Sequence, residues 1–306
     1  MSSLSDPSSR TSRALRSALS LAAAFAAAVV LAGAPLVVSK VSGHPAFTPG
    51  RIVTAFAAWL AGLPDGSSFV YYHGTVPWKL FDLAPSYIFV SFVNIALPGS
   101  VAIFLGIFVG LSFRAAHRNI LDRVLLFVAS TPDFLVAMSL QALALLLIPL
   151  GLHIRIGPSR AGFSPLAFVV MAVYPFVAAF RATAFAARQV AKEEWVSAAR
   201  ARGLAEADIR RRHIGAAVLL SLRSELPVII GAMQGTLFIV EYQFSLPGLA
   251  RFLFETAFSG RHAGYFYMYQ YNLGLFALLS LVLVCAAIQG LFSLTLDLTR
   301  KALADE

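Results

Sequence analysis

Residues 194–213 read EWVSAARARGLAEADIRRRH, and apolar runs of membrane-spanning length lie on either side of them. Ser197, Ala198 and Ala199 make a small-residue surface that another backbone can approach closely. Gly203 can adopt a positive φ, so it ends a first short helix and turns the chain. In a second short helix Glu206 faces Arg210 and Asp208 faces Arg212, four residues apart with the acid first. That order stabilises a helix by about 0.2–0.5 kcal/mol per pair. The stretch reads as a rigid, exposed, basic element that docks onto a soluble partner, whereas a plain solvated loop needs none of these features together.

Outward from this insert the chain is built for lipid. Of its 306 residues, 58% are hydrophobic and 13% charged, against about 25% charged in a soluble domain. The net charge of +9 is spread beside apolar runs and not gathered in one basic domain, which argues for a membrane and against nucleic acid. The lone Cys285 lies inside an apolar run and reads as a packing residue.

A hydrocarbon core of about 30 Å requires roughly 20 apolar helical residues. Six stretches qualify: 15–38, 88–113, 122–150, 163–187, 222–241 and 272–298. The predicted fold is an all-α, six-span membrane protein, a single transmembrane domain over residues 1–306. The first run is too long for a signal peptide, and Pro35 would directly follow the cleavage-like Ala32-Gly33-Ala34, so an uncleaved span is expected.

With the N-terminus inside, 17 of the 24 Lys and Arg fall in inside segments, eight of them between Arg188 and Arg223. The positive-inside rule then makes both termini cytoplasmic, with a tail over 1–14 and the insert in a cytoplasmic loop over 188–221. The outer loop over 39–87 contains an apolar, aromatic stretch with Phe56 and Trp59. That stretch is either an interfacial helix or a short helix packed over the bundle. A second outer segment, 242–270, carries Tyr265, Tyr267 and Tyr269.

Polar groups inside spans usually face a partner or a cavity. Asn94, Gln141, Gln234, Thr236, Gln289 and Asp297 are such positions, with an interhelical hydrogen bond as the alternative for each. Asp133 and Asp297, near predicted cytoplasmic ends, are expected to pair with Arg123 or Arg300. The six histidines are scattered without ligand spacing, so neither metal nor catalysis is indicated.

The motifs resemble the permease family of binding-protein-dependent ABC importers, in particular its dipeptide/oligopeptide/nickel branch. The match to that family's coupling loop consists of Glu194, Trp195, Ala198, Ala199, Arg200, Ala201, Arg202, Gly203, Arg212 and His213. A second block, Glu241-Tyr242-Gln243-Phe244-Ser245-Leu246-Pro247-Gly248-Leu249, is similar to the segment ending the family's fifth span. Ser130-x-Pro132-x-Phe134 and the Gly106/Gly110 pair match less specifically. Two departures stand out: Ala216-Ala217 replaces an Arg-Asn pair, and Asp133 stands where an uncharged residue is usual.

The resemblance implies half of a transmembrane pathway. A second homologous permease, as a heterodimer, supplies the other half, and two ATPase subunits grip the coupling loops. A separate extracytoplasmic binding protein delivers a peptide-like or related small solute. ATP and Mg belong to the ATPases, since the chain has no Gly-x-x-x-x-Gly-Lys-Ser/Thr loop of its own. The residues implied in coupling are Glu194, Ser197, Ala198, Ala199, Arg200, Arg202, Gly203 and His213. Gln234, Thr236, Glu241, Pro247 and Gly248 are the pathway or gate candidates. The setting implied is a bacterial inner membrane. A stand-alone secondary transporter or channel is the alternative, although it would show paired interrupted helices and a central acidic relay.

Overall fold

A computed structural model describes residues 7–41, 44–73, 76–112, 118–152, 154–159, 162–205, 208–209, 214–257 and 269–305. Six helices are long and apolar enough to cross a membrane: Leu19–Val37, Leu80–Leu111, Asp133–Leu150, Pro165–Val190, Gly215–Gln243 and Tyr271–Ala302. The chain divides into two compact units, residues 1–85 with 252–282, and residues 86–251 with 283–306.

The first unit holds α1 (Pro7–Val37), the antiparallel pair β1 (Val38–Val41) and β2 (His44–Phe47), and α2 (Gly50–Ala61). The pair β3 (Val70–His73) and β4 (Val76–Lys79) follows. These two ribbons lie in a stretch read above as an irregular outer loop. Runs of four residues were too short to register as strands by alternation alone. The aromatic stretch is the helix α2, which has no fully buried residue and packs by one side on α1. Phe56 and Trp59 of α2 stack with centroids 6.1 Å apart and pack against Ala28, Ala32 and Leu275. Gln270 substitutes for a neighbouring strand on β3: its side-chain amide accepts from Tyr72 N at 2.8 Å and donates to Tyr72 O at 2.6 Å. Tyr269 donates its phenolic hydrogen to Ala32 O, and burial raises its pKa above the ordinary tyrosine value. Tyr265 and Tyr267 lie outside the described residues.

The second unit holds most of α3 (Leu80–Ser112), then α4 (Arg118–Ser130), α5 (Asp133–Leu147), α6 (Pro165–Val190), α7 (Glu194–Ala201) and α8 (Gly215–Gln243). It also takes the first turn of α9 (Leu249–Ala257) and the second half of α10 (Tyr271–Asp305). The expected third span over 122–150 is corrected here. Its first part belongs to α4, and the span begins at Asp133. Pro132 has no N–H to continue a helix and disfavours helical geometry at Thr131. It sits at φ −55°, ψ 136°, and Ser130 and Thr131 turn their hydroxyls back onto Phe127 O at 2.8 and 3.0 Å. The fifth span starts earlier than expected, at Gly215, and runs through Pro227. The proline removes only its own helical hydrogen bond, while Val218, Leu222, Leu226 and Ile229 supply a continuous buried stripe.

The core of this unit is α6 against α8, with Phe180, Met171, Leu222, Leu226, Met233 and Leu237 fully buried. On the other side of α6 the glycines of α3 allow close approach. A Cβ at Gly106 would lie 2.8 Å from Ala179 Cβ and from Phe176 O, and one at Gly110 would lie 2.8 Å from Thr183 Cγ2. Gly106→Leu is therefore expected to push α3 off α6, at a cost of about 1–3 kcal/mol. Thermal unfolding of the purified protein measures this, and an unchanged midpoint would refute the close packing.

Candidate functional site

The charged insert is built as expected as far as Gly203. Helix α7 starts at Glu194 and ends in a Schellman arrangement. In it Gly203 N donates to Arg200 O at 2.9 Å and Leu204 N to Ala199 O at 3.3 Å, with Gly203 at φ +80°. Only two side chains of α7 turn inward. Val196 and Ala199 form a buried cluster with Ala186 of α6, Ile209, Ile214 and Val218 of α8, with Leu111 of α3 packed against it. Of the expected docking residues, Ala199 thus faces the body. Glu194, Ser197, Ala198, Arg200, Arg202 and Gly203 are exposed. Trp195 and Leu204 flank them with large exposed apolar surface. The role of Leu204 was not legible in the sequence, because only the Gly203 turn shows that it projects outward. His213 and the charge pairs Glu206–Arg210 and Asp208–Arg212 lie outside the described residues.

A second constellation gathers where α8 ends. Here too the helix closes with a Schellman arrangement. Leu246 N donates to Glu241 O at 2.9 Å and Ser245 N to Tyr242 O at 3.2 Å, with Ser245 at φ +55° where glycine is usual. Glu241 is fully buried. Its carboxylate accepts from the Ser91 hydroxyl of α3 at 2.6 Å, from Ala250 N at 2.8 Å and from Arg251 N at 3.3 Å. Leu249 N in turn donates to Ser91 Oγ at 2.7 Å. The first N–H groups of α9, which no helical carbonyl can satisfy, are thus held by two side chains from α3 and α8. The carboxyl group lies at the positive end of the α9 dipole. Gly248 makes this possible, since a Cβ there would fall on the Glu241 carboxylate. Pro247 is exposed beside it. Glu241, a pathway or gate candidate in the sequence, caps the start of α9. Asn94, one turn beyond Ser91, is buried with its amide side chain beside Glu241.

The remaining polar positions pair differently from expectation. Asp297 binds Arg223, not Arg300, with Nη1 and Oδ1 2.6 Å apart. The two helices α8 and α10 bring them together, whereas Arg300 is only three residues further along the same helix. Asp133 accepts a hydrogen bond from Thr236 of α8, so its expected pairing with Arg123 is also corrected. The break at Pro132 separates the helix carrying Arg123 from the one carrying Asp133. Gln243 Nε2 donates to Gln141 Oε1 at 3.1 Å, and Gln141 Nε2 to Gln243 O at 3.4 Å. Gln234 is half-buried two residues before Thr236.

Six helices of spanning length and an exposed insert seated on the ends of three of them define a multi-pass membrane protein. The sequence model of the binding-protein-dependent transport system inner membrane component matches residues 102–304, about two thirds of the chain. The chain belongs to that family: it is the permease component of a binding-protein-dependent ABC transporter, and not an enzyme. No curated protein matches it.

Proposed function

We propose that the chain forms half of the translocation pathway of an ATP-driven importer for a peptide-like small solute, with a second, non-identical permease as the other half. The exposed face of α7 docks on an ATPase subunit that binds ATP and Mg. Closure of the ATPase pair then moves α6 and α8 and switches the pathway between outward and inward access. Both termini and the insert lie on the cytoplasmic side, and an extracytoplasmic binding protein supplies the solute. Membership of the family argues against the stand-alone channel.

The observation that carries this reading is the two-sided construction of α7. Its inner face is sealed against the span ends, while Ser197 and Ala198 on its outer face are exposed as a small-residue surface. The peptide-like class rests on the Glu241–Leu249 motif and the coupling loop, which resemble the dipeptide branch.

A cysteine at Ser197, in a background with Cys285→Ala, tests the docking. It is expected to cross-link to a nucleotide-binding subunit in native membranes, with a yield that changes when ATP is trapped. A thiol at that position that is reachable only from outside the cell would reverse the orientation and end the proposal.

A further inference from the structure

On the α5 face turned towards α8, Asp133, Ala137 and Gln141 follow one another at four-residue spacing, and Thr236 and Gln243 face them. These contacts align the start of α5 with the second half of α8. Thr236 lies 13 residues beyond Arg223 in the same helix, which is about 20 Å along the axis. Arg223, already paired with Asp297, is therefore too far along α8 to neutralise Asp133. Neither α5 nor the rest of α8 carries a Lys or Arg. Among the described residues Asp133 has no cationic partner; Thr236 alone donates to it. An ionised carboxylate has about four acceptor sites, so most of its capacity is unused. The side chain is also half-exposed. A lone carboxylate facing lipid is costly, so such groups face water or a partner charge.

We propose that Asp133 and Thr236, continued by Gln141 and Gln243, form a cation-recognising strip on the translocation pathway. The strip favours solutes that carry a side-chain ammonium or guanidinium in addition to a terminal ammonium. This deepens the importer reading and rests on it. At the reduced dielectric of such a site, a carboxylate attracts an ammonium group several times more strongly than in bulk water. The amides of Gln141 and Gln243 offer neutral hydrogen bonds further along the same path.

The test uses the assembled transporter in proteoliposomes. Cys285 is the chain's single cysteine, so Cys285→Ala gives a clean background for Ala232→Cys, one turn before Thr236, and separately for Gln141→Cys. Each is reacted with a cationic trimethylammonium-ethyl and an anionic sulfonatoethyl methanethiosulfonate, without nucleotide and with ATP trapped. The cationic reagent is expected to be favoured about tenfold or more beyond its ratio to the anionic one with a simple thiol in solution, where the thiolate already prefers the cation. Asp133→Asn should bring the ratio down to that solution value. Failure of both positions to react in both states, or a ratio indifferent to Asp133→Asn, overturns the proposal. The first of these results would mean that lipid or the partner permease covers the strip.

Uptake provides the second arm. Asp133→Asn should lower import of alanyl-lysine relative to alanyl-alanine and alanyl-glutamate. An equal effect on all three refutes the selectivity. If the unmodified transporter imports none of the three, the peptide-like reading fails by itself, and the reagent ratio still decides the strip.

Discussion

Gly248→Ala is expected to destabilise the protein by about 3 kcal/mol or more and to abolish uptake. The added methyl would occupy the position of the Glu241 carboxylate. Glu241 is fully buried and has no free space on its far side, where the Ser91 hydroxyl lies 2.6 Å away. Either the carboxylate leaves its three donors or the turn before α9 opens. In the first case a buried carboxyl group and two helix-start N–H groups are left poorly satisfied, and each such group costs on the order of 1–3 kcal/mol. In the second, α9 loses its attachment to α3 and α8. Gly231→Ala provides the contrast. That glycine lies in the interior of α8 with nothing within 4 Å of its would-be Cβ, so alanine there should be neutral or stabilising by up to about 1 kcal/mol. Thermal unfolding of the purified chain compares the two. A Gly248→Ala protein that melts with the unmodified one would show that the carboxylate is not held where the hydrogen bonds place it.

Gly203→Val is the second large effect, and it acts by another route. There is room for the side chain, since nothing lies within 4 Å of a Cβ at this position. The difficulty is the backbone: φ is +80°, a region that costs an ordinary residue roughly 1–2 kcal/mol and a β-branched one more. The chain can escape only by rearranging the end of α7, which moves the surface of Ser197, Ala198 and Arg202. Membrane insertion and the level of protein should stay normal, while association with the ATPase and solute uptake are lost. Gly203→Asn should retain most of both, because asparagine tolerates the left-handed region. Uptake that persists in Gly203→Val with normal ATPase association would remove α7 from the coupling path.

Much of this was legible in the sequence, and the failures have specific causes. The six spans and the Gly203 turn followed from apolar length and from the one residue type that accepts a positive φ. The break at Pro132 was passed over because the run from 122 to 150 is apolar enough to hide it. The start of the fifth span at Gly215 was missed because Arg223 and Glu225 interrupt the apolar run, while the stripe of Val218, Leu222 and Leu226 shows only once burial is known. The partners of Asp133, Asp297 and Glu241 were out of reach. Thr236 is 103 residues from Asp133, and Ser91 is 150 from Glu241. Periodicity within one helix does not say which face of a distant helix it meets. The positive φ at Ser245 was likewise invisible, since serine carries no signal for it.

The two faces of α7 also separate two kinds of freedom. Val196 and Ala199 must fit Ala186, Ile214 and Val218, so their shapes are set by the permease's own fold. Ser197, Ala198 and Arg202 are exposed and lie outside that cluster. On the proposed docking, a lineage could re-address such a subunit to a different motor by rewriting a handful of outward letters while the inner contacts stay untouched.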